Sequence, residues 1–378
     1  MKTTLPISLL TLLAAACGNS AGCGSTPSHT VPGSGEIVAP SSSAQSYEVH
    51  EWGLIRTDTR DQWVVGSAPT PVEALYEPLA VDKPVLYFHL SNPHGDPMTL
   101  ANVGVRAVDG EVREHWPLVP AGALGAHPSS LAWTDVGLSR GPCTYTRAPT
   151  ATEAPCSTLR ADESCESLEL PRMRTADSAC VAAGGVSESF LFYRSTNTSF
   201  TPPLRFARTG AGDVSVTNGG SEALPGPIFR IHRFANSVAS VLSAPSPSPG
   251  ATSVIGHEYR AGFGRQALHQ ALVAQHLTPS EANAFIAAWN DTLFGGAISD
   301  VDGVDGDRAD DTPPRDALLA SDESRRAVDI PVDGRFRPIE SVLYFLPASD
   351  IERISQLTFS PAPSAVHRVM AVWVSLPL

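Results

Sequence analysis

Short runs of β-branched and aromatic residues recur along the chain and alternate with stretches rich in Gly and Pro. Such runs favour β-strands, because branched and aromatic side chains pack well on a pleated surface. Many short runs between turns indicate antiparallel structure rather than alternating βα units. We therefore predict a mainly β (α+β) fold with an antiparallel β-sandwich or barrel-like framework. The runs lie at residues 47–55, 63–65, 85–90, 103–108, 190–193, 214–216, 228–234, 342–346 and 366–374.

Two turns between these runs are candidates for β-hairpins. Asp109-Gly110 is a strong hairpin signal, because a type I′ turn needs positive φ at both central residues. Residues 210–213 form a second Gly-containing turn between two runs. Both positions therefore predict paired neighbouring strands.

A helical hairpin is predicted near residues 265–293. Apolar residues at helical spacing indicate a first helix over about 265–276. The second helix has a defined start at Thr278-Pro279-Ser280-Glu281, which supplies an N-cap hydroxyl, a proline at the first helical position and the glutamate of a capping box. Trp289 falls on the apolar face of this helix and is assigned to the core. Residues 350–354 predict one more short helical turn.

The first 16 residues are typical of a secretory signal. Lys2 precedes an apolar stretch over residues 5–16, which is shorter than the roughly 20 residues that span a bilayer. Small residues then precede Cys17, as in the lipobox of bacterial lipoproteins. We predict a lipoprotein signal peptide over residues 1–16 and lipidation of Cys17. Plain secretion, or modification of Cys23, is the alternative.

The remaining chain divides into a tether and one domain. Residues 17–45 are rich in Gly, Ser and Pro and contain too little apolar surface to offset the entropy of ordering. Residues 46–378 are predicted to form a single β-rich domain. Two insertions interrupt it, a Cys-rich one at 139–185 and an acidic one at 295–338.

The Cys-rich insertion contains Cys143, Cys156, Cys165 and Cys180 and few large apolar residues. Disulfides would supply its order in an oxidising compartment. Four cysteines allow three pairings, and we favour Cys143–Cys156 with Cys165–Cys180, because these pairs close short loops. Zinc is the competing use, but the segment has no CxxC pair and no histidine.

The acidic insertion places Asp300, Asp302, Asp305 and Asp307 within a few residues of one another. Carboxylates this close repel one another unless a hard cation such as Ca²⁺ gathers them. The register does not fit an EF-hand, because Val304 occupies the fifth position counted from Asp300. A solvated acidic loop is the favoured interpretation, and an irregular Ca²⁺ site with these four ligands is the alternative.

Charge and histidine spacing restrict the chemistry. The formal net charge is −13 without a basic run, which excludes a nucleic-acid-binding surface. His50 and Glu51 are the candidate catalytic residues, although adjacent residues of a strand point to opposite faces. The zinc-protease pattern HExxH fails because Leu54 occupies the second histidine position. Convergence of His50, Glu51 or His89 in a pocket with a further ligand would favour an enzyme, and dispersed, packed positions would argue against one.

Several strings occur in an order that resembles a family of exported bacterial proteins, common in myxobacteria and planctomycetes, whose N-terminal signature reads HEWGTFT. Leu54-Ile55-Arg56 replaces the Thr-Phe-Thr of that signature. The family has no established activity, so the resemblance implies an exported, β-rich single module and adds no catalytic residue. The strings are HEWG at 50–53, KPVLYF at 83–88, FLFYR at 190–194, LTPSEA at 277–282, VLYFLP at 342–347, PAP at 361–363 and RVM at 368–370.

The favoured function is a non-catalytic binding or structural module at the cell surface or in the periplasm. A lipid anchor would attach it to the membrane surface, on the outer-membrane or periplasmic side, and its partner would be a protein or a glycan. One alternative is a secreted hydrolase or metal-dependent enzyme that uses His50 and Glu51. The other is carbohydrate or cell-wall recognition through exposed tryptophans, such as Trp52, Trp63 or Trp116.

Overall fold

The computed structural model describes residues 45–57, 79–92, 96–120, 128–159, 165–209, 212–233, 239–257, 264–294 and 340–376. All of them belong to one compact unit, residues 44–378. The predicted signal peptide with Cys17, most of the tether and the whole acidic insertion lie outside the described residues. The candidate Ca²⁺ ligands Asp300, Asp302, Asp305 and Asp307 lie outside them too.

The fold is mainly β, as predicted. In chain order the strands are β1 (Tyr47–Thr57), β2 (Leu79–Leu90), β3 (Met98–Ala107), β4 (Val112–Trp116), β5 (Ser130–Ser139), β6 (Cys180–Ala183), β7 (Val186–Glu188), β8 (Leu191–Asn197), β9 (Leu204–Arg208), β10 (Val214–Asn218), β11 (Pro227–Arg233), β12 (Ala239–Pro245), β13 (Thr252–Ile255), β14 (Glu340–Phe345), β15 (Ser355–Ser360) and β16 (Ala365–Leu376).

These strands form three sheets. The central sheet has eight strands in the order β12-β11-β14-β16-β1-β2-β8-β4, and the smaller sheets have the orders β13-β10-β9 and β15-β3-β5-β6-β7. The described strands do not close into a barrel. Pairing is antiparallel except between β1 and β16, which run parallel in the middle of the central sheet. The first and the last strand of the described sequence, β1 and β16, are therefore direct neighbours in the sheet.

The helices are short, and most of them follow one another between β13 and β14. The α-helices are α1 (Gly264–Val273), α2 (Pro279–Ala288), α3 (Asn290–Phe294) and α4 (Ala348–Ile354), and 3₁₀ turns cover Cys156–Thr158 and Glu166–Met173. The predicted capping box is confirmed: Thr278 is the N-cap of α2, its side chain accepts from the backbone N–H of Glu281, and the Glu281 carboxylate accepts from the N–H of Thr278. Trp289 is buried, as predicted.

The central sheet is the middle layer of the described unit. On one face, Trp52 of β1 meets Phe285 of α2 edge to face, with ring centroids 5.3 Å apart. On the other face, Val49 of β1 shares a buried cluster with Trp133 of β5. Phe206 of β9 belongs to a third cluster beside it. Because side chains alternate along a strand, each residue of β1 faces either the helices or the smaller sheets.

One of the two hairpin predictions is wrong. Asp109 has the positive φ of a tight turn, 47°, but β3 pairs with β5 and β15 whereas β4 pairs with β8. The turn therefore carries the chain from one sheet to another instead of joining two partners. The turn at 210–213 does connect paired strands, because Val214 of β10 lies opposite Arg208 of β9.

The predicted disulfide pairing is also wrong. The bonds are Cys143–Cys180 and Cys156–Cys165, with Cα atoms 5.1 Å and 5.2 Å apart, instead of Cys143–Cys156 and Cys165–Cys180. Ser139 at the end of β5 lies opposite Cys180 at the start of β6. Strand pairing therefore brings Cys143 to Cys180, and the second bond is nested inside the loop that the first one closes.

Two disulfides are typical of a protein from an oxidising, extracytoplasmic compartment. None of the described helices has the length and apolar composition needed to cross a bilayer.

Candidate functional site

Strand register brings ionisable residues together on the helix-covered face of the central sheet. Glu48 and His50 are two residues apart on β1 and therefore point to the same face. Glu48 lies opposite His89 of β2, and His50 lies opposite His367 of β16. Directly paired residues share a face, so one patch collects side chains from three neighbouring strands.

The start of helix α2 adds a carboxylate to this patch. Glu281 is fully buried. Its Oε2 lies 2.8 Å from Nδ1 of His50, and its Oε1 lies 2.7 Å from Nε2 of His89. Oε2 also accepts from the backbone N–H of Thr278 at 2.8 Å. The capping box thus holds the carboxylate in place between two imidazoles.

The turn between α1 and α2 contributes a further histidine. His276 has a φ of 74°, a left-handed conformation that costs a non-glycine residue roughly 1–2 kcal/mol. In this conformation its ring stacks on that of His367, with centroids 4.5 Å apart. The ring of His50 lies 4.4 Å from that of His89 and 5.3 Å from that of His367. We call the following set the histidine cluster: Glu48, His50, His89, His276, Glu281 and His367.

Exposure changes across the histidine cluster. His50 and Glu281 are buried, His89, Glu48 and His367 are half-buried, and His276 is exposed. The cluster therefore extends from the interior to the protein surface, at the end of the central sheet where β1 and β16 begin and β2 ends.

The electrostatics of the buried end favour an ion pair. Burial opposes ionisation of Glu281, but the hydrogen bonds from His50 and His89 and their charges outweigh it and lower the pKa of Glu281. Burial alone would lower the pKa of His89, but the hydrogen bond to Glu281 and its charge, with Asp177 and Glu48 nearby, raise the pKa of His89. The carboxylate is therefore ionised and faces a histidine with increased affinity for a proton.

At the surface end of the cluster, the pKa of a histidine is lowered instead of raised. Burial and the charges of His50 and His276 lower the pKa of His367. Its ring is therefore more readily neutral, and neutral imidazole is the form that coordinates a metal.

The donor atoms of the cluster have the identity and spacing of metal ligands. Within the group His50, His89 and Glu281, one donor atom from each residue lies within 4.8 Å of the others, and the same holds for Glu48, His50 and His367. Ligand atoms about 2.1 Å from a tetrahedral zinc ion are roughly 3.4 Å apart. The side chains would need only small movements to surround an ion.

Of the two predicted catalytic residues, His50 is part of the cluster and Glu51 is not. Glu51 faces the other side of the sheet, where it pairs with Arg368 and accepts from Tyr193 Oη at 2.7 Å. The alternation of side chains along β1 separates the two residues, so a site that uses both is excluded. The structure instead joins His50 to His89 and to Glu281, which the sequence identifies only as a capping residue.

The other predicted site residues do not reach this patch. Trp52 and Trp116 are buried, with 0% and 7% of their surface exposed, so neither offers a platform for a sugar ring. Trp63, Cys17 and the aspartates of the acidic insertion lie outside the described residues. The disulfide cysteines do not supply thiolate ligands, because both pairs are oxidised.

No protein-family model matches the chain, and no curated protein shows significant similarity to it. The resemblance to the exported bacterial family therefore stays a prediction. The chemistry of the histidine cluster is the basis for assigning a function.

Proposed function

We propose that this protein is an exported binding module of the bacterial envelope whose ligand is a divalent transition-metal ion. The observation that carries the proposal is the convergence of His50, His89 and Glu281 from two strands and a helix. Two imidazoles and one carboxylate suit zinc, nickel or copper better than Ca²⁺ or Mg²⁺, which prefer oxygen ligands.

The metal would replace the hydrogens that now lie between Glu281 and the ring nitrogens of His50 and His89. An ionised carboxylate only accepts hydrogen bonds, so the contacts of Glu281 with His50 and His89 each require hydrogen on the ring nitrogen. A metal ion that binds these nitrogens displaces those hydrogens, to the other ring nitrogen of a neutral histidine or to solvent from a protonated one. The short contacts at 2.8 Å and 2.7 Å thus mark the atoms that would coordinate the ion.

The surrounding structure holds these ligands in position. The backbone N–H of Thr278 fixes Glu281 Oε2, and Trp52 packs under the helix that carries Glu281. Ligands on a strand and a packed helix are held more precisely than ligands on loops. This preorganisation supports binding over a purely structural hydrogen-bond network.

Isothermal titration of the metal-free protein with Zn²⁺ tests the proposal. We expect saturable binding that is lost in His50→Ala and reduced in His89→Ala, because each variant removes a ligand from the buried group. His257→Ala is the matched control: His257 forms a histidine–carboxylate pair with Asp213, with Nδ1 to Oδ1 at 2.6 Å, outside the cluster. Absence of binding by the wild type, or equal binding by all variants, would refute the proposal.

A metal-dependent enzyme is the second candidate. The buried group supplies three protein ligands, and a tetrahedral ion with three protein ligands keeps one position for water, as catalytic zinc sites do. The cluster is open to solvent on the side of its half-buried and exposed residues, and a substrate would reach that position from there. Glu51 has no part in this version of the hypothesis.

Attachment to the membrane belongs to the same proposal. Cys17, preceded by small residues and an apolar signal, would carry the acyl chains, and the tether would then connect the membrane surface to the domain that binds the ion. This arrangement is supported by the sequence around Cys17 and is consistent with the two disulfides.

A further inference from the structure

The histidine cluster contains a second group of ligands beside the buried one. Glu48, His50 and His367 also place one donor atom each within 4.8 Å of one another. Glu48 and His367 contribute nothing to the contacts that hold Glu281. The two groups thus meet at a single residue, His50.

The orientation of the His50 ring determines how it can serve both groups. Its Nδ1 faces Glu281 Oε2 at 2.8 Å, so Nδ1 belongs to the buried group. The two nitrogens of an imidazole point in different directions, so we assign Nε2 to the group with Glu48 and His367. A residue with two separate donor atoms can coordinate two ions at once.

We propose that the histidine cluster holds two divalent ions that share the imidazole of His50. The first ion binds Nδ1 of His50 with His89 and Glu281. The second binds Nε2 of His50 with Glu48 and His367. When the first ion takes Nδ1, the neutral ring carries its hydrogen on Nε2. The second ion displaces that proton to solvent, and the shared ring becomes an imidazolate. This inference rests on the proposed function, because the shared ring is a ligand of the first site.

Charge and exposure support the second position. Two divalent ions need compensating negative charge, and the carboxylates of Glu48 and Glu281 supply it on either side of the shared ring. Glu48 and His367 are half-buried, so the second position is open towards solvent. His276 stacks on His367 and fixes the ring plane of that ligand.

Metal stoichiometry, measured by elemental analysis and by titration of the full chain with Zn²⁺, tests the inference. We expect two ions in the wild type and in the control His257→Ala, one ion in His367→Ala, Glu48→Gln and His89→Ala, and none in His50→Ala. His367 and Glu48 are not fully buried, so these substitutions leave the core intact. Circular dichroism melts verify the fold of each variant.

The outcomes separate this inference from the proposed function. One ion in the wild type, unaffected by His367→Ala, overturns the second position and retains the first. One ion lost in both His367→Ala and His89→Ala also overturns it, because all ligands then surround a single ion. No bound ion refutes both proposals.

Copper tests the sharing of His50 directly. Two Cu²⁺ ions joined by one imidazolate couple magnetically, so we expect the electron paramagnetic resonance signal of the doubly loaded protein to fall below that of the same amount of copper bound separately. His89→Ala, which retains the second position alone, should give the full signal of its copper. A full signal from the doubly loaded wild type would show that the ions do not share a ring.

Discussion

At the scale of single residues, Glu281 combines two tasks that are normally separate. Its carboxylate closes the capping box with Thr278 and also lies between His50 and His89. The favourable field at a helix N-terminus stabilises the negative charge, which helps to keep a fully buried glutamate ionised. The residue therefore couples the start of α2 to the state of the histidine cluster.

This coupling predicts a pH-dependent contribution to stability in the metal-free protein. The lowered pKa of Glu281 gives a contribution that is complete above the unfolded value of 4.5 and lost as pH falls through the folded value. The raised pKa of His89 gives one that is complete below 6.5 and lost as pH rises through the folded value. The pair thus stabilises the fold most between about pH 4.5 and 6.5.

Urea unfolding of Glu281→Gln and wild type across pH, in the presence of a chelator, measures this contribution. We expect the difference in the free energy of unfolding to reach roughly 1–3 kcal/mol inside that window, the cost of removing a buried charged hydrogen-bond partner. The difference should decrease on both sides of it. A difference that does not change with pH would show that the ion pair is not its source.

At the scale of elements, a disulfide bond attaches the Cys-rich segment to one of the smaller sheets. Cys143 follows β5 and Cys180 begins β6, so their disulfide reinforces a strand pair that already exists. Cys156–Cys165 closes a shorter loop inside this one. The outer bond therefore connects the segment to the fold, and the inner bond orders the segment itself.

The two disulfides should differ in their effect on stability. A disulfide constrains the unfolded chain more when it closes a longer loop, and separations of 37 and 9 residues correspond to about 4 and 2.5 kcal/mol. Urea unfolding of the double variants Cys143→Ser/Cys180→Ser and Cys156→Ser/Cys165→Ser measures both values. A larger loss on removing the inner bond would contradict this order.

Elements with local signals were predictable from the sequence, and those that depend on distant pairing were not. The capping box lies within four consecutive residues, so spacing alone locates the start of α2. The pairing of Cys143 with Cys180 depends on the register between β5 and β6, and no local sequence pattern predicts that register. The site is harder still, because His50 and Glu281 are 231 positions apart and His367 joins them only through the parallel register of β16.

At the scale of the whole molecule, the proposed lipid anchor would hold the proposed metal site at the membrane surface. Cys17→Ala should move the protein from the membrane fraction to the soluble fraction, because each buried methylene of an acyl chain contributes about 0.8 kcal/mol to membrane binding. Cys23→Ala is the matched control and should stay with the membrane. Unchanged fractionation of Cys17→Ala would refute lipidation at this position.

The parallel neighbours β1 and β16 also determine when the domain can fold. A ribosome releases β16 long after β1, so the middle of the central sheet cannot close while the chain is being made. A chain with this topology remains open during synthesis, which suits a translocation channel that accepts only unfolded polypeptide. In a protein exported as proposed, the ligands on β1 and β16 would first meet after translocation, so the second ion would be acquired in the envelope and not in the cytoplasm.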